Sequence, residues 1–250
     1  MLSYSEFGST DAPALLIVHG LFGSGRNWGV IAKRLSDRFR VITVDMRNHG
    51  GSPHTKTHSY PEMAEDLAEV ITRLGAPVRI VGHSMGGKAI MALGLSHSDM
   101  ISSMIVADIA PATYEHSQLP FIHAMKAVDL TTVARRADAE AQLSLLGVEP
   151  ALCSFFTQSL DVVNKCWRLN LETLEAEIDK IMAFPDLSGI FDKPVLFLTG
   201  ARSDYVQQAH RAKIKSLFPV ARFAKLNDAG HWLHADKPRA FEAAVRSFLQ

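Results

Sequence analysis

Five short apolar runs recur along the chain: ALLIV at 14–18, RVITV at 40–44, VRIV at 78–81, SMIVA at 103–107 and PVLFLT at 194–199. Each is almost continuously hydrophobic and rich in β-branched residues, the pattern of strands covered on both faces. Between and after them apolar residues return at helical spacing, as in Met63, Leu67, Val70, Ile71 and Leu74, or Phe241, Val245, Phe248 and Leu249. Alternating strand and helix predicts an α/β fold with a mostly parallel central sheet flanked by helices. The alternation stops between 112 and 192, where Val133 to Leu146 and Leu171 to Met182 carry helical patterning and no run reads as a strand. Long unstructured connections are uncommon in compact domains, so residues 112–192 are read as a helical cap, or lid, inserted into a core of residues 1–111 and 193–250. The plainer alternative is two crossover helices joined by a long loop.

A chain of 250 residues buries about three-quarters of its unfolded surface, enough for one large core or a core with a small appendage. Its 26 Lys and Arg balance 26 Asp and Glu. That leaves no electrostatic footprint for nucleic acid or an anionic membrane, and points to a neutral or mixed-charge small molecule as partner. Cys153 and Cys166 lack CxxC spacing and are expected to be buried free thiols. The segment MLSYSEFGSTDAP shows no signal-peptide pattern, and no apolar run approaches the length of a membrane span. The expectation is a cytoplasmic, soluble protein, monomeric or a small homo-oligomer.

Residues 80–89, IVGHSMGGKA, fit two chemistries. Gly82-x-Ser84-x-Gly86 matches the G-x-S-x-G elbow of a nucleophilic serine, and Gly82 to Lys88 matches most of the G-x-x-x-x-G-K phosphate loop. Both need a strand, a tight turn and a helix. The phosphate loop also needs Ser or Thr after its lysine to hold Mg²⁺; that position is Ala89, and Asp108 offers only one further candidate carboxylate. The elbow needs small residues two before and two after the serine, and Gly82 and Gly86 supply them. Lys88 is then an ordinary first-turn helix residue, available to pair with a nearby acid.

Serine in a glycine-rich turn is more often a hydrogen-bonding residue than a nucleophile, so Ser84 needs partners. A base must take its proton and a carboxylate must hold the tautomer of that base. Among 11 histidines, His231 in NDAGHWLHADKP is the candidate base, since Gly230 permits a tight loop and Asp236-Lys237-Pro238 offers a capping context for the last helix. His234 is read as structural. A metal group of His231, His234, His54 and His58 lacks a carboxylate motif such as H-E-x-x-H; no metal and no cofactor is expected. The oxyanion formed on attack needs N–H donors, which Met85 and Leu21 are placed to supply, Met85 after the nucleophile and Leu21 in the loop HGLFGSG. That loop does not fit a dinucleotide fingerprint, because Gly20, Gly23 and Gly25 have the wrong spacing.

HGLFGSGRNW, DMRNHGGSP, GHSMGGK and AGHWLHADKP together resemble the α/β-hydrolase superfamily over nearly the whole chain, and within it the YbfF-type bacterial esterases and ABHD11-type hydrolases. The resemblance implies the α/β-hydrolase fold and serine-dependent hydrolysis of carboxylic esters or thioesters, acyl-CoA included, under a helical lid. In most of the superfamily the acid lies in a G-x-x-D pattern, but counting from Gly200 in LTGARSDYV reaches Ser203, with Asp204 one residue late. The other position the fold allows is Asp108, at the end of IVAD. Asp108 is the favoured acid, Asp204 the alternative, and Ser203 an auxiliary hydrogen-bonding residue. Phe22, His83 and Trp232 are candidate pocket residues. Asp45, Arg47 and His49 are expected to fasten a loop beside the site. Arg135, Arg136, Lys165 and Arg168 are candidates for the phosphates of a CoA ester, with a solvated helix face as their ordinary reading. Fold and triad also admit a lyase or carbon–carbon hydrolase, or a low-turnover ligand receptor.

Overall fold

In the computed structural model, which describes residues 1–75 and 77–249, the five apolar runs are five strands of one seven-stranded sheet. The strands of the chain are β1 (Tyr4–Phe7), β2 (Ala14–Val18), β3 (Arg40–Val44), β4 (Val78–His83), β5 (Ile101–Ala107), the two-residue pieces β6 (Leu160–Asp161) and β7 (Cys166–Trp167), then β8 (Val195–Gly200) and β9 (Arg222–Leu226). The large sheet has the order β1-β3-β2-β4-β5-β8-β9 and is parallel except for β1, which runs antiparallel to β3.

Helices α1 (Gly29–Leu35), α2 (Tyr60–Leu74) and α3 (Met85–Ser96) interleave with the first strands. The segment after β5 holds α4 (Leu119–Ala127), α5 (Arg136–Leu145), α6 (Pro150–Thr157), α7 (Leu171–Ala176) and α8 (Ile178–Met182). The chain closes with α9 (Arg211–Leu217), α10 (Leu233–Asp236) and α11 (Pro238–Phe248). The strands are apolar throughout because both faces are covered. On β2, Leu15 and Ile17 pack with Trp28, Ile31, Leu35, Phe241 and Val245 from α1, α11 and the turn before α1. Leu16 and Val18 point the other way, into the cluster of Met63, Leu67, Ile71 and Ile90 from α2 and α3. Helix α2 starts where the Glu62 carboxylate accepts the Ser59 N–H at 3.1 Å and hydroxyl at 2.6 Å, and ends before Gly75, whose φ of 85° stops the helical ladder.

Three expectations for residues 112–192 need correction. It contains the β6–β7 hairpin, too short to leave a periodic signal in sequence. The helix predicted from Leu171 to Met182 breaks at Glu177 into α7 and α8, and α4 and α6, each with a proline in its first turn, had no predicted counterpart. Cys153 is buried, but Cys166 is exposed, because the hairpin turns it outward while Trp167 faces inward and donates from Nε1 to the Met125 carbonyl at 2.9 Å. Among the described residues no helix is long and apolar enough to cross a membrane.

Candidate active site

Ser84 sits between β4 and α3 with φ 52° and ψ −119°, a strained conformation for a residue with a side chain. The flanking glycines are required by contact: a Cβ on Gly82 would lie 2.4 Å from the Gly86 carbonyl oxygen, and one on Gly86 would lie 2.5 Å from the His19 carbonyl oxygen. The turn lifts Ser84 into a cleft over the carboxyl ends of the strands, shared with His231, Leu21 and Met85. Among the described residues the Leu21 and Met85 N–H groups have no hydrogen-bond acceptor, so both are available to an incoming oxygen. Among the described residues the Ser84 hydroxyl and the His231 ring make no hydrogen bond to each other; the ring bonds Asp108 through Nδ1.

Asp108 follows β5, is fully buried, and has φ 53°. Its Oδ2 accepts from His231 Nδ1 at 2.8 Å and from the Ser203 hydroxyl, and its Oδ1 accepts from the Gly200 N–H at 3.0 Å. A carboxylate removed from water is tolerable only when its oxygens are matched by donors, as they are here. The contact also leaves Nε2 of His231 as the free ring nitrogen. Asp204 is exposed and lines a separate groove beside β8 and β9 with Thr199, Ser203, Arg211 and Phe223.

The loop carrying His231 is held from several sides. Its backbone carbonyl accepts from His83 Nε2 at 2.8 Å, and the Gly230 N–H donates to Asp236 Oδ2 at 2.7 Å. Asp236 therefore shapes the histidine loop and does not cap α11, whose N-cap residue Lys237 makes no side-chain capping bond. The His231 ring stacks on Tyr205, with centroids 3.8 Å apart and planes 18° from parallel. Burial raises the Tyr205 hydroxyl to about 12 and keeps it neutral. His234 stacks on Trp28 at 3.9 Å, and burial pushes it down to about 3, so it is a neutral packing residue. His83 is likewise driven well below the usual histidine range, first by burial and then by His231 and His234.

Phe22, His83 and Trp232 all line the cleft, joined by Phe121, Leu152, Phe155 and Phe156 from α4 and α6 and by Tyr114 and Tyr205. Sequence reasoning missed these contributions from residues 112–192, Tyr114 among them, and from Tyr205, since nothing local distinguishes them from core aromatics. Lys88 also lines the cleft, and the expectation that it pairs with an acid is wrong: Nζ donates to the carbonyls of Met182 at 2.9 Å and Ala183 at 2.7 Å, at the end of α8. It lies 4.8 Å from the Tyr114 ring centroid, and burial lowers it to about 7. Asp45 holds the Gly25 and Gly51 N–H groups at 2.7 and 2.8 Å, whereas Arg47 pairs with Asp66 and Glu62. Of the four candidate phosphate-binding residues, Arg135 and Arg168 pair with Asp138 and Asp161, and Arg136 and Lys165 bond backbone carbonyls of Thr157 and Val133. None of the four lines the cleft.

Comparison with known proteins supports the same grouping. The model of the alpha/beta hydrolase family matches residues 15–244. The chain is 43% identical to mouse sn-1-specific diacylglycerol lipase ABHD11, over 99% of this chain and 85% of that protein. It is 37% identical to esterase YbfF of Escherichia coli strain K12, over 94% of this chain and 92% of that protein. Among solved structures, a marine microorganism esterase aligns with a TM-score of 0.93 at 38% identity, covering 99% of this chain and 98% of the other.

Proposed function

The chain belongs to the α/β hydrolase family and is a hydrolase of esters, and from that premise we propose that Ser84 is its nucleophile, acylated and then released by water. The observation that carries the assignment is the 2.8 Å contact of His231 Nδ1 with buried Asp108, at a cleft that Ser84 lines from a strained elbow. In this reading His231 Nε2 takes the Ser84 proton as Oγ attacks the ester carbonyl. Asp108 holds the ring in the tautomer that leaves Nε2 basic, and stabilises the imidazolium that forms. The carbonyl oxygen gains charge as the tetrahedral intermediate forms, and the Leu21 and Met85 N–H groups donate to it. His231 then protonates the departing alcohol, and a water activated by the same nitrogen cleaves the acyl-enzyme.

Residues 112–192 act as the lid, and their aromatic side chains with Phe22 and Trp232 accept an apolar acyl chain. Among the described residues no Asp or Glu lines the cleft to meet a cationic substrate, and Lys88, which could meet an anionic one, is engaged by backbone carbonyls, which favours an uncharged ester. Acyl-CoA thioesters share the acyl chemistry, but Arg135, Arg136, Lys165 and Arg168 do not reach the cleft to meet phosphates.

Labelling with a fluorophosphonate, together with turnover of p-nitrophenyl esters of graded chain length and of acyl-CoA thioesters, tests the reading. Ser84→Ala is expected to abolish labelling and ester turnover. Full ester turnover by that variant would sink the assignment, and faster turnover of acyl-CoA than of any ester would overturn the substrate class.

A further inference from the structure

Phe22, next to the oxyanion donor Leu21, lies in the left-handed region with φ 64°, a conformation unfavourable for a bulky side chain. Two side chains from opposite sides hold that residue. Its N–H donates to His49 Nε2 at 3.2 Å, and its carbonyl accepts from the Ser159 hydroxyl at 3.1 Å. His49 is fully buried and donates from Nδ1 to the Arg47 carbonyl at 2.9 Å, which fixes the tautomer and leaves Nε2 as the acceptor. His19, 5.1 Å away between ring centroids, does the same one residue before Leu21: Nδ1 donates to the Gly20 carbonyl at 2.8 Å and Nε2 accepts the Met46 N–H at 2.9 Å. A third buried ring, His58, stands 5.5 Å from His49 and touches the Met85 sulfur at 3.3 Å.

The Leu21 N–H is therefore carried on the Gly20–Leu21 peptide, whose carbonyl accepts from His19 Nδ1 and from the Gly23 N–H at 3.0 Å, and the next peptide, Leu21–Phe22, is held through its N–H by His49. Without an acceptor at His49, the buried Phe22 N–H is orphaned and Phe22 is free to leave the left-handed region; the Leu21–Phe22 peptide then turns, and the torsions of Leu21 carry the change to its own N–H. Ser159 belongs to the inserted segment, at the end of the tight bend before β6, so the same residue feels the seating of the lid. We infer that His49 and Ser159 are positioning residues for the oxyanion donor Leu21, His49 from the core and Ser159 from the lid, so that the hole is complete only when the lid is seated. The inference rests on the reading of Ser84 as nucleophile and Leu21 as donor. Neither residue touches the substrate.

The test uses the full chain with His49→Leu, His49→Gln, Ser159→Ala and Ser84→Ala, each checked for folding by circular dichroism. Readouts are kcat and KM on a p-nitrophenyl ester and inhibition by a trifluoromethyl ketone, whose serine adduct places an oxyanion in the hole. Misplacing one donor is expected to cost His49→Leu about 10²-fold in kcat at nearly constant KM, with ketone affinity falling in parallel. His49→Gln, whose amide oxygen replaces the Nε2 acceptor, is expected to recover most of the loss, and Ser159→Ala to show the same pattern more weakly. An inactive Ser84→Ala beside folded His49→Leu or Ser159→Ala variants with unchanged kcat and ketone affinity would overturn this inference alone. A folded His49→Gln as impaired as His49→Leu would overturn it too, by assigning His49 to packing. If His49→Leu does not fold, Ser159→Ala decides. An active Ser84→Ala removes the nucleophile reading and this inference with it.

Discussion

Asp108 and His231 meet at 2.8 Å, Oδ2 to Nδ1, although 123 positions separate them along the chain. The contact joins the end of β5 to the loop after β9, and Asp204 takes no part in it. Asp108→Asn is expected to lower kcat by about 10⁴, because the amide no longer selects the tautomer with a basic Nε2. Asp204→Asn is expected to leave kcat close to that of the parent. Steady-state ester hydrolysis by the two variants checks this, and the reverse result would move the acid to Asp204.

Ser203 donates to the same Asp108 oxygen as His231. Its loss leaves the Gly200 N–H and the His231 ring to hold the carboxylate. One hydrogen bond to a charged group contributes about 1.5–3 kcal/mol, and only part of that bears on the transition state. Ser203→Ala is expected to reduce kcat by about tenfold, far less than Asp108→Asn. Equal losses in the two variants would show that Ser203 does more than hold the acid.

Burial pushes both His58 and His234 down to about 3. In the unfolded chain each titrates near 6.5, so between the two values the unfolded state binds more protons. Their contribution to stability is complete above about pH 6.5 and is lost as pH falls toward 3, by about 1.4 kcal/mol per pH unit for each histidine. Urea midpoints measured from about pH 7.5 down to about pH 5 are expected to fall. A flat midpoint would contradict neutral burial.

Lys88 ties α3 to the end of α8 through the Met182 and Ala183 carbonyls, while Tyr60 donates to the Ile181 carbonyl at 2.6 Å. Lys88→Met keeps most of the side-chain volume and removes the donors. Hydrogen exchange is expected to quicken at residues 178–184 and stay slow in β4 and β5, since the loosened part is the end of α8 and not the sheet. Uniform exchange across residues 178–184 and the sheet would assign Lys88 to global stability instead.

The sheet was legible because burial on both faces writes itself into each strand: ALLIV is unbroken as β2, and the other four runs shift by a few residues at most. β1 was missed because an exposed edge strand carries no such signal. The elbow was legible because a tight turn at Ser84 excludes any Cβ two residues to either side, and only glycine meets that need. These are local constraints, and the sequence by itself determined them. It also narrowed the acid to Asp108 or Asp204, but the contact between Asp108 and His231 is made across the sheet edge, where spacing along the chain carries no distance. The same holds for Lys88, whose partners are backbone carbonyls almost a hundred residues away and so have no residue type to recognise. The grip of His49 and Ser159 on Phe22 is likewise a meeting of three distant segments on one strained peptide. Only tertiary packing decides which of several chemically suitable groups arrives at such a point, because hydrogen bonds are satisfied in space and not in order along the chain.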